Sequence, residues 1–322
     1  MSSVLLDELL DTVKGVYSNF GVRLREAPYE WKEDGLAVSG NFYFPAFRDG
    51  QPTVGEFVRF VYHKIIPFCI SRQERREIIE KFKETDDDSY ILELTDKAKN
   101  LFITARKSQK TSGEPGEVIL FMLLEAVLKA PQLACKMSLK TSEQMPVHGS
   151  DAIHIMRGSQ EGSICLIWGE SKIYQQLSTA LDEVCNSVSG FLDEKEGRNA
   201  RDRDIDIIKE HMDVEEPVLR RALLDYFDPY SEAGNNLEEA YACFVGFDYS
   251  SVYSQLASME PNKREEFFKS EYLKRISSAC ELFGTKLRER NLSNLKINYF
   301  LIPFPSVEDL RTKFFNHLGI TP

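Results

Sequence analysis

Residues 148–177 read HGSDAIHIMRGSQEGSICLIWGESKIYQQL, and the fold is decided there. Two apolar runs of strand length, 152–156 and 164–168, are separated by a polar stretch containing Gly158 and Gly162. Runs of this kind between such turns predict consecutive strands. Asp151 stands in the turn where the first run begins, and Glu170-Ser171-Lys172 follows directly on the second. Residues two apart in a pleated strand point to one side, so Glu170 and Lys172 face the same space. Pairing of the two strands as a hairpin would bring Asp151 beside Glu170.

Working outward, residues 133–139 form a third apolar run, which predicts a strand preceding these two. Residues 117–129 are apolar nearly all round, the pattern of a helix buried between layers. After the hairpin, residues 173–192 carry Leu177, Leu181, Val184, Val188 and Phe191, a stripe of helical period. A further strand is expected at 240–247. The order is helix, strand, strand, strand, helix, strand, which implies an α/β (α+β) fold with a mixed sheet flanked by helices.

The flanks are less specific. Residues 4–20 carry a helical stripe, 36–47 read as a strand or hairpin arm, and 53–70, 72–83 and 90–107 read as helices around a polar break at 85–89. The Gly/Pro/Ser loop at 108–116 is the clearest punctuation in the first half. Residues 193–213 are dense in mixed charge and read as a solvated loop or exposed helix. A short helix at 218–227, a long one at 263–292, a last strand at 297–302 and a helix opened by Ser306-Val307-Glu308-Asp309 complete the chain. The organisation expected is an N-terminal mainly helical region (1–112), a core (113–250) and a C-terminal helix-strand-helix extension (251–322).

Composition limits function. The 322 residues are 42% hydrophobic and 28% charged, enough to bury a full core. The net charge of −11 argues against a whole-surface nucleic-acid binder. Between 101 and 160, however, seven basic residues oppose five acidic ones, a local balance of +2 that would tolerate a DNA backbone. Lys136 and Lys140, within that segment, alternate on the first expected core strand. No apolar run is long enough to span a bilayer, and the first residues lack a basic n-region, so a cytoplasmic protein without a membrane partner is expected. Six cysteines show no metal-ligand spacing and read as reduced core residues.

An Asp, a Glu and a Lys meeting at one sheet end suit phosphodiester hydrolysis. Two carboxylates can hold a hard divalent cation such as magnesium, with manganese as a substitute, and phosphate oxygens complete its ligands. The cation polarises the phosphoryl group, and Lys172 can orient or deprotonate the attacking water. Glu-x-Lys alone is a weak signal; the Asp ahead of it and the helix behind it give it weight. His154 alternates with apolar residues and reads as core, and Trp168 likewise. His148, in the turn, is a candidate for touching substrate.

With Asp151 and Glu170-Ser171-Lys172 in this order of elements, the chain resembles the PD-(D/E)XK nuclease superfamily. That resemblance implies a further metal-binding acid on the first core helix, best matched by Glu117, with Glu125 as the less favoured substitute. An acid in a first helical turn also complements the macrodipole with no catalytic duty, and both readings of Glu117 stand. A glutamine or tyrosine on the helix after the lysine often lies near the site in that superfamily; Tyr174, Gln175 and Gln176 match, Gln175 best. Lys140 is a further candidate for supporting the site.

The segments GEVILFMLLEAVL, HGSDAIHI and LIWGESKIY resemble more closely the HamA family, effector nucleases of Hachiman anti-phage defence. This implies a metal-dependent DNA endonuclease with little sequence preference, held inactive by a superfamily 2 helicase partner (HamB-like) and released on activation. A catalytically silent nuclease-fold module that regulates a DNA-bound partner is the competing reading.

Overall fold

The computed structural model describes residues 8, 10–15, 17–108, 114–137, 149–193 and 199–320. Its elements open with α1 (Phe20–Arg23), β1 (Leu24–Glu26), β2 (Ala37–Pro45), β3 (Phe47–Arg48) and β4 (Gln51–Pro52). The helices α2 (Val54–Tyr62), α3 (Ile65–Cys69), α4 (Arg72–Thr85), α5 (Ser89–Ser108) and α6 (Glu114–Ala126) follow. Then come β5 (Ala152–Arg157), β6 (Ile164–Tyr174), α7 (Leu177–Leu192), α8 (Ala200–His211) and α9 (Pro217–Tyr226). The chain ends with β7 (Leu237–Asp248), α10 (Ser250–Gln255), α11 (Pro261–Glu289), β8 (Lys296–Phe304) and α12 (Val307–Leu318).

Six strands form one sheet in the order β1-β2-β8-β7-β6-β5. It is mixed: β1 with β2 and β5 with β6 are antiparallel, while β2 with β8 and β7 with β8 are parallel. This is the helix-flanked α+β architecture expected from the pattern. Two compact units divide the chain, the first holding Met1–Val16, His63–Gly169 and Phe191–Glu239, the second Tyr17–Tyr62, Glu170–Gly190 and Ala240–Pro322. The division falls inside β6, at the peptide bond from Gly169 to Glu170.

In the first unit, the residues of α6 from Val118 to Leu124 are all buried, as an all-round apolar helix must be. The helix lies on the hairpin of β5 and β6. A Cβ on Gly169 would come within 2.7 Å of the Ala152 Cβ and 2.9 Å of Leu120 Cδ2, so the close approach depends on glycine. The hairpin register runs from Ala152 opposite Gly169 to Arg157 opposite Ile164.

The strand expected at 133–139 does not form among its described residues, Leu133 to Met137. Only a single bridge, Gln132 to His154, and the bonds Leu133 N–H to Ile153 O (2.8 Å) and Ile155 N–H to Pro131 O (3.1 Å) line β5 there. Pro131 has no N–H to extend the ladder. The Leu133 carbonyl instead accepts from Asp213 N–H at 2.8 Å, and the chain turns helical at Lys136.

Beneath this segment Arg72, at the start of α4, donates from Nη1 to Gln132 O, Asp213 O and Asp213 Oδ2, each at 2.9 Å. The Glu125 carboxylate lies 3.7 Å from the same guanidinium. Both acids are buried, so the arginine compensates their charge.

In the second unit, β2 and β8 pair over Ala37–Phe42 and Lys296–Leu301. Over them packs an aromatic core centred on Phe268 of α11, whose ring centroid lies 4.6–6.2 Å from those of Phe44, Phe47, Tyr249, Tyr253 and Tyr272. The opening of α12 is capped as its sequence implied: Ser306 Oγ accepts from Asp309 N–H at 3.1 Å. Gly319, in the left-handed region at φ 76°, closes it.

All six cysteines are buried free thiols. No helix among the described residues is long and apolar enough to cross a membrane.

Candidate active site

The strand β6 reaches further than its apolar run suggests, so Glu170-Ser171-Lys172 lies inside the strand. The pleat puts Glu170 and Lys172 on one side, and Lys172 Nζ stands 2.7 Å from Glu170 Oε1. Ser171 and Ile173 are buried on the other. The helix expected from 173 begins only at Leu177 because Ile173 is held as strand. Its side chain lies 3.2 Å from the position a Cβ would take on Gly246, and its carbonyl accepts from Arg311 Nη2 at 2.5 Å. Tyr174 therefore ends the strand, and Gln175 and Gln176 occupy the bend before α7 rather than the helix itself. Gln175 is exposed, and its backbone carbonyl accepts from Asp248 N–H at 3.2 Å.

In the first unit, Asp151 N–H donates to Gly169 O at 2.8 Å. That carbonyl belongs to the peptide group whose nitrogen is Glu170's, so the hairpin fixes the Asp151 backbone at the Glu-x-Lys end of β6. Glu117 is the fourth residue of α6 and is buried, one turn ahead of the Leu120 that packs by Gly169. Glu125 lies two turns further, about 12 Å along the axis. It accepts from Gln132 N–H at 3.2 Å and belongs to the Arg72 network.

The reading of Lys136 as a strand-face lysine is overturned. Its Nζ is drawn inward to Ser150 O (2.5 Å) and to Asp204 Oδ1 and Oδ2 (3.1 and 3.0 Å). Lys140 and His148 lie outside the described residues.

Asp204 itself went unread. The segment 193–213 holds the helix α8, and Asp204 is only 1% exposed. Ala200, Asp204 and Ile208 share its buried face at i, i+4 spacing, and that apolar-acid-apolar pattern was the available signal.

His154 is core, as its alternation implied. One ring nitrogen, Nδ1, bonds Ala130 O at 2.8 Å, and burial pushes the ring's pKa down to about 3 against the pull of that bond. Trp168 is also buried, its Nε1 donating to Glu239 Oε2 at 2.8 Å.

Among the described residues no three His, Cys, Asp or Glu side chains gather as a metal cage. Magnesium does not require one, being bound through one or two carboxylates, retained waters and substrate phosphates. The acids expected from the sequence, Asp151, Glu170 and Glu117, each offer the hard oxygen donors that such an ion takes.

A family model described as HamA matches residues 27–318. No curated protein matches the chain.

Proposed function

This chain belongs to the HamA family, which fits a component of Hachiman anti-phage defence, and we propose on that premise that it is the system's metal-dependent DNA endonuclease. The observation that carries the reading is the Lys172–Glu170 pair, 2.7 Å apart on one side of β6, at the end of the hairpin where Asp151 N–H meets Gly169 O. Asp151 and Glu170 would hold magnesium or manganese, with Glu117 assisting from α6. A bound ion of this kind supplies charge neutralisation and Lewis-acid polarisation of the phosphoryl group. Lys172 Nζ orients the attacking water and offsets negative charge as it builds on the phosphate oxygens.

Regulation belongs to the same proposal. A superfamily 2 helicase of the HamB type holds the nuclease inactive and releases it on activation, after which DNA is cut with little sequence preference. A net charge of −11 suits a protein that meets DNA only at a local site. DNA binding is then strongly salt-dependent.

The test is cleavage of supercoiled and linear DNA by the purified chain, alone and with the helicase, ATP and DNA ends. Parallel reactions contain magnesium, a chelator, or the Lys172→Ala variant. Metal-dependent cutting is expected to fall about 100-fold or more in the variant with no change in thermal stability. Cutting that survives Lys172→Ala places the chemistry elsewhere, and no cutting under any condition favours a silent interaction module.

A further inference from the structure

The helix α8 reaches the hairpin that bears the site through two side chains three residues apart, Asp204 directly at Ser150 and Arg201 by way of Glu239 of β7. Asp204 accepts from Ser150 N–H (3.0 Å), Ser150 Oγ (2.7 Å) and Lys136 Nζ. Ser150 directly precedes Asp151. The Lys136 ammonium in turn donates to Ser150 O, so the peptide groups on both sides of Ser150 are gripped by one ion pair whose acid is buried. Lys136 lies 14 residues before Ser150, and Asp204 54 residues after it.

The fit leaves no slack: a Cβ on Gly149 would come within 2.5 Å of Asp204 Oδ1 and 2.7 Å of Lys136 Nζ. Arg201 bonds β7 instead. Its Nε donates to Glu239 Oε2 (2.8 Å) and Oε1 (2.9 Å), and Glu239 accepts from Nε1 of Trp168, two residues before Glu170. Residues at i and i+3 share a helix face, so one face of α8 bonds the residue before Asp151 and the β7 acid that accepts from Trp168.

We infer that α8 sets the geometry of the metal-binding hairpin, with Asp204, acting through Lys136 and Ser150, as the positioning residue for Asp151. This rests on the reading of Asp151 and Glu170 as metal ligands. Asp204 would touch neither metal nor substrate. Its carboxylate fixes the backbone that aims the Asp151 side chain, as outer-shell acids orient ligands elsewhere. A helix with this role is also a lever, because whatever shifts α8 shifts the carboxylate.

The experiment titrates Mn2+ and Mg2+ into the full-length chain by calorimetry and follows thermal unfolding of the same samples. Asp204→Asn keeps the shape of the side chain and removes its charge, and is expected to weaken metal binding about 10- to 100-fold. Because loss of the charge that pairs the half-buried Lys136 can unfold that variant, Lys136→Met/Asp204→Leu is the second test. Replacing a buried ion pair by apolar residues often preserves stability. The double variant is expected to melt near the wild type and still bind metal at least 10-fold more weakly, because Ser150 has lost its acceptor. Metal binding at wild-type strength in either folded variant overturns the inference, since the ion pair is then only structural. Absence of metal binding in the wild type removes the nuclease reading itself, and the inference with it.

Discussion

The two units hold their parts of the chain by different means. In the first, buried acids are met by cations: Asp213 and Glu125 by Arg72, and Asp204 by the half-buried Lys136. In the second, Phe268 and the rings around it fill the interior, and the Glu170-Ser171-Lys172 strand is fixed by packing at Gly246 and by the Arg311 contact to Ile173 O. Apolar packing is tolerant of substitution, whereas a buried ion pair works only in one geometry. The arm carrying Asp151 is thus held by an ion pair and its hydrogen bonds, and the Glu-x-Lys arm by packing with one hydrogen bond from Arg311.

The largest effects should separate the two styles. Arg72→Met leaves Asp213 and Glu125 buried without their cation and is expected to cost about 3–5 kcal/mol. Phe268→Ala should cost a similar 3–5 kcal/mol through the cavity it opens. Urea unfolding measures both. Refilling with Leu at 268 recovers part of the loss, but Lys at 72, lacking the Nε that reaches Val13 O at 3.2 Å and the Nη2 that lies 3.7 Å from Glu125, recovers little. Equal rescue in the two units would erase the distinction drawn here.

A smaller effect sharpens it through pH. His154 in the first unit keeps its ring neutral down to about 3. The folded-state pKa is depressed, so the unfolded chain takes up a proton below about 6.5 that the folded chain refuses. Stability therefore falls as pH drops from about 6.5 toward 3 through this group. His154→Gln should flatten that part of the wild-type profile; an unchanged slope between pH 6.5 and 4.5 would count against the neutral buried ring. The smallest expected effect lies in the second unit, where Ser306→Ala removes the cap of α12 at about 1 kcal/mol in thermal or urea unfolding, independent of pH in that range.

This contrast also explains what could be read from the sequence. The hairpin was legible because alternation and glycine turns specify it locally, and the α12 cap because Ser306 and Asp309 are near neighbours. The burial of Trp168 and His154 followed from their place in apolar runs. The ion-pair scaffold was not legible. Asp204 sits in a segment dense in charge, where a buried acid and a solvated one look alike until Lys136 and Ser150 arrive from elsewhere in the chain. For the same reason Lys136 passed for a surface lysine. The end of β6 was misjudged because Gly246 and Arg311, which keep Ile173 in the strand, are remote in sequence.

The buried thiols have a consequence for watching the molecule open. Cys69, Cys135 and Cys165 belong to the first unit and Cys185, Cys243 and Cys280 to the second. Burial pushes the Cys185 and Cys280 thiols up to about 12 and those of Cys135 and Cys243 upward as well. A thiol that is both enclosed and protonated reacts with an alkylating reagent only after its surroundings part. Timed alkylation followed by peptide mass analysis would therefore clock each unit separately in the unaltered protein, three reporters to each.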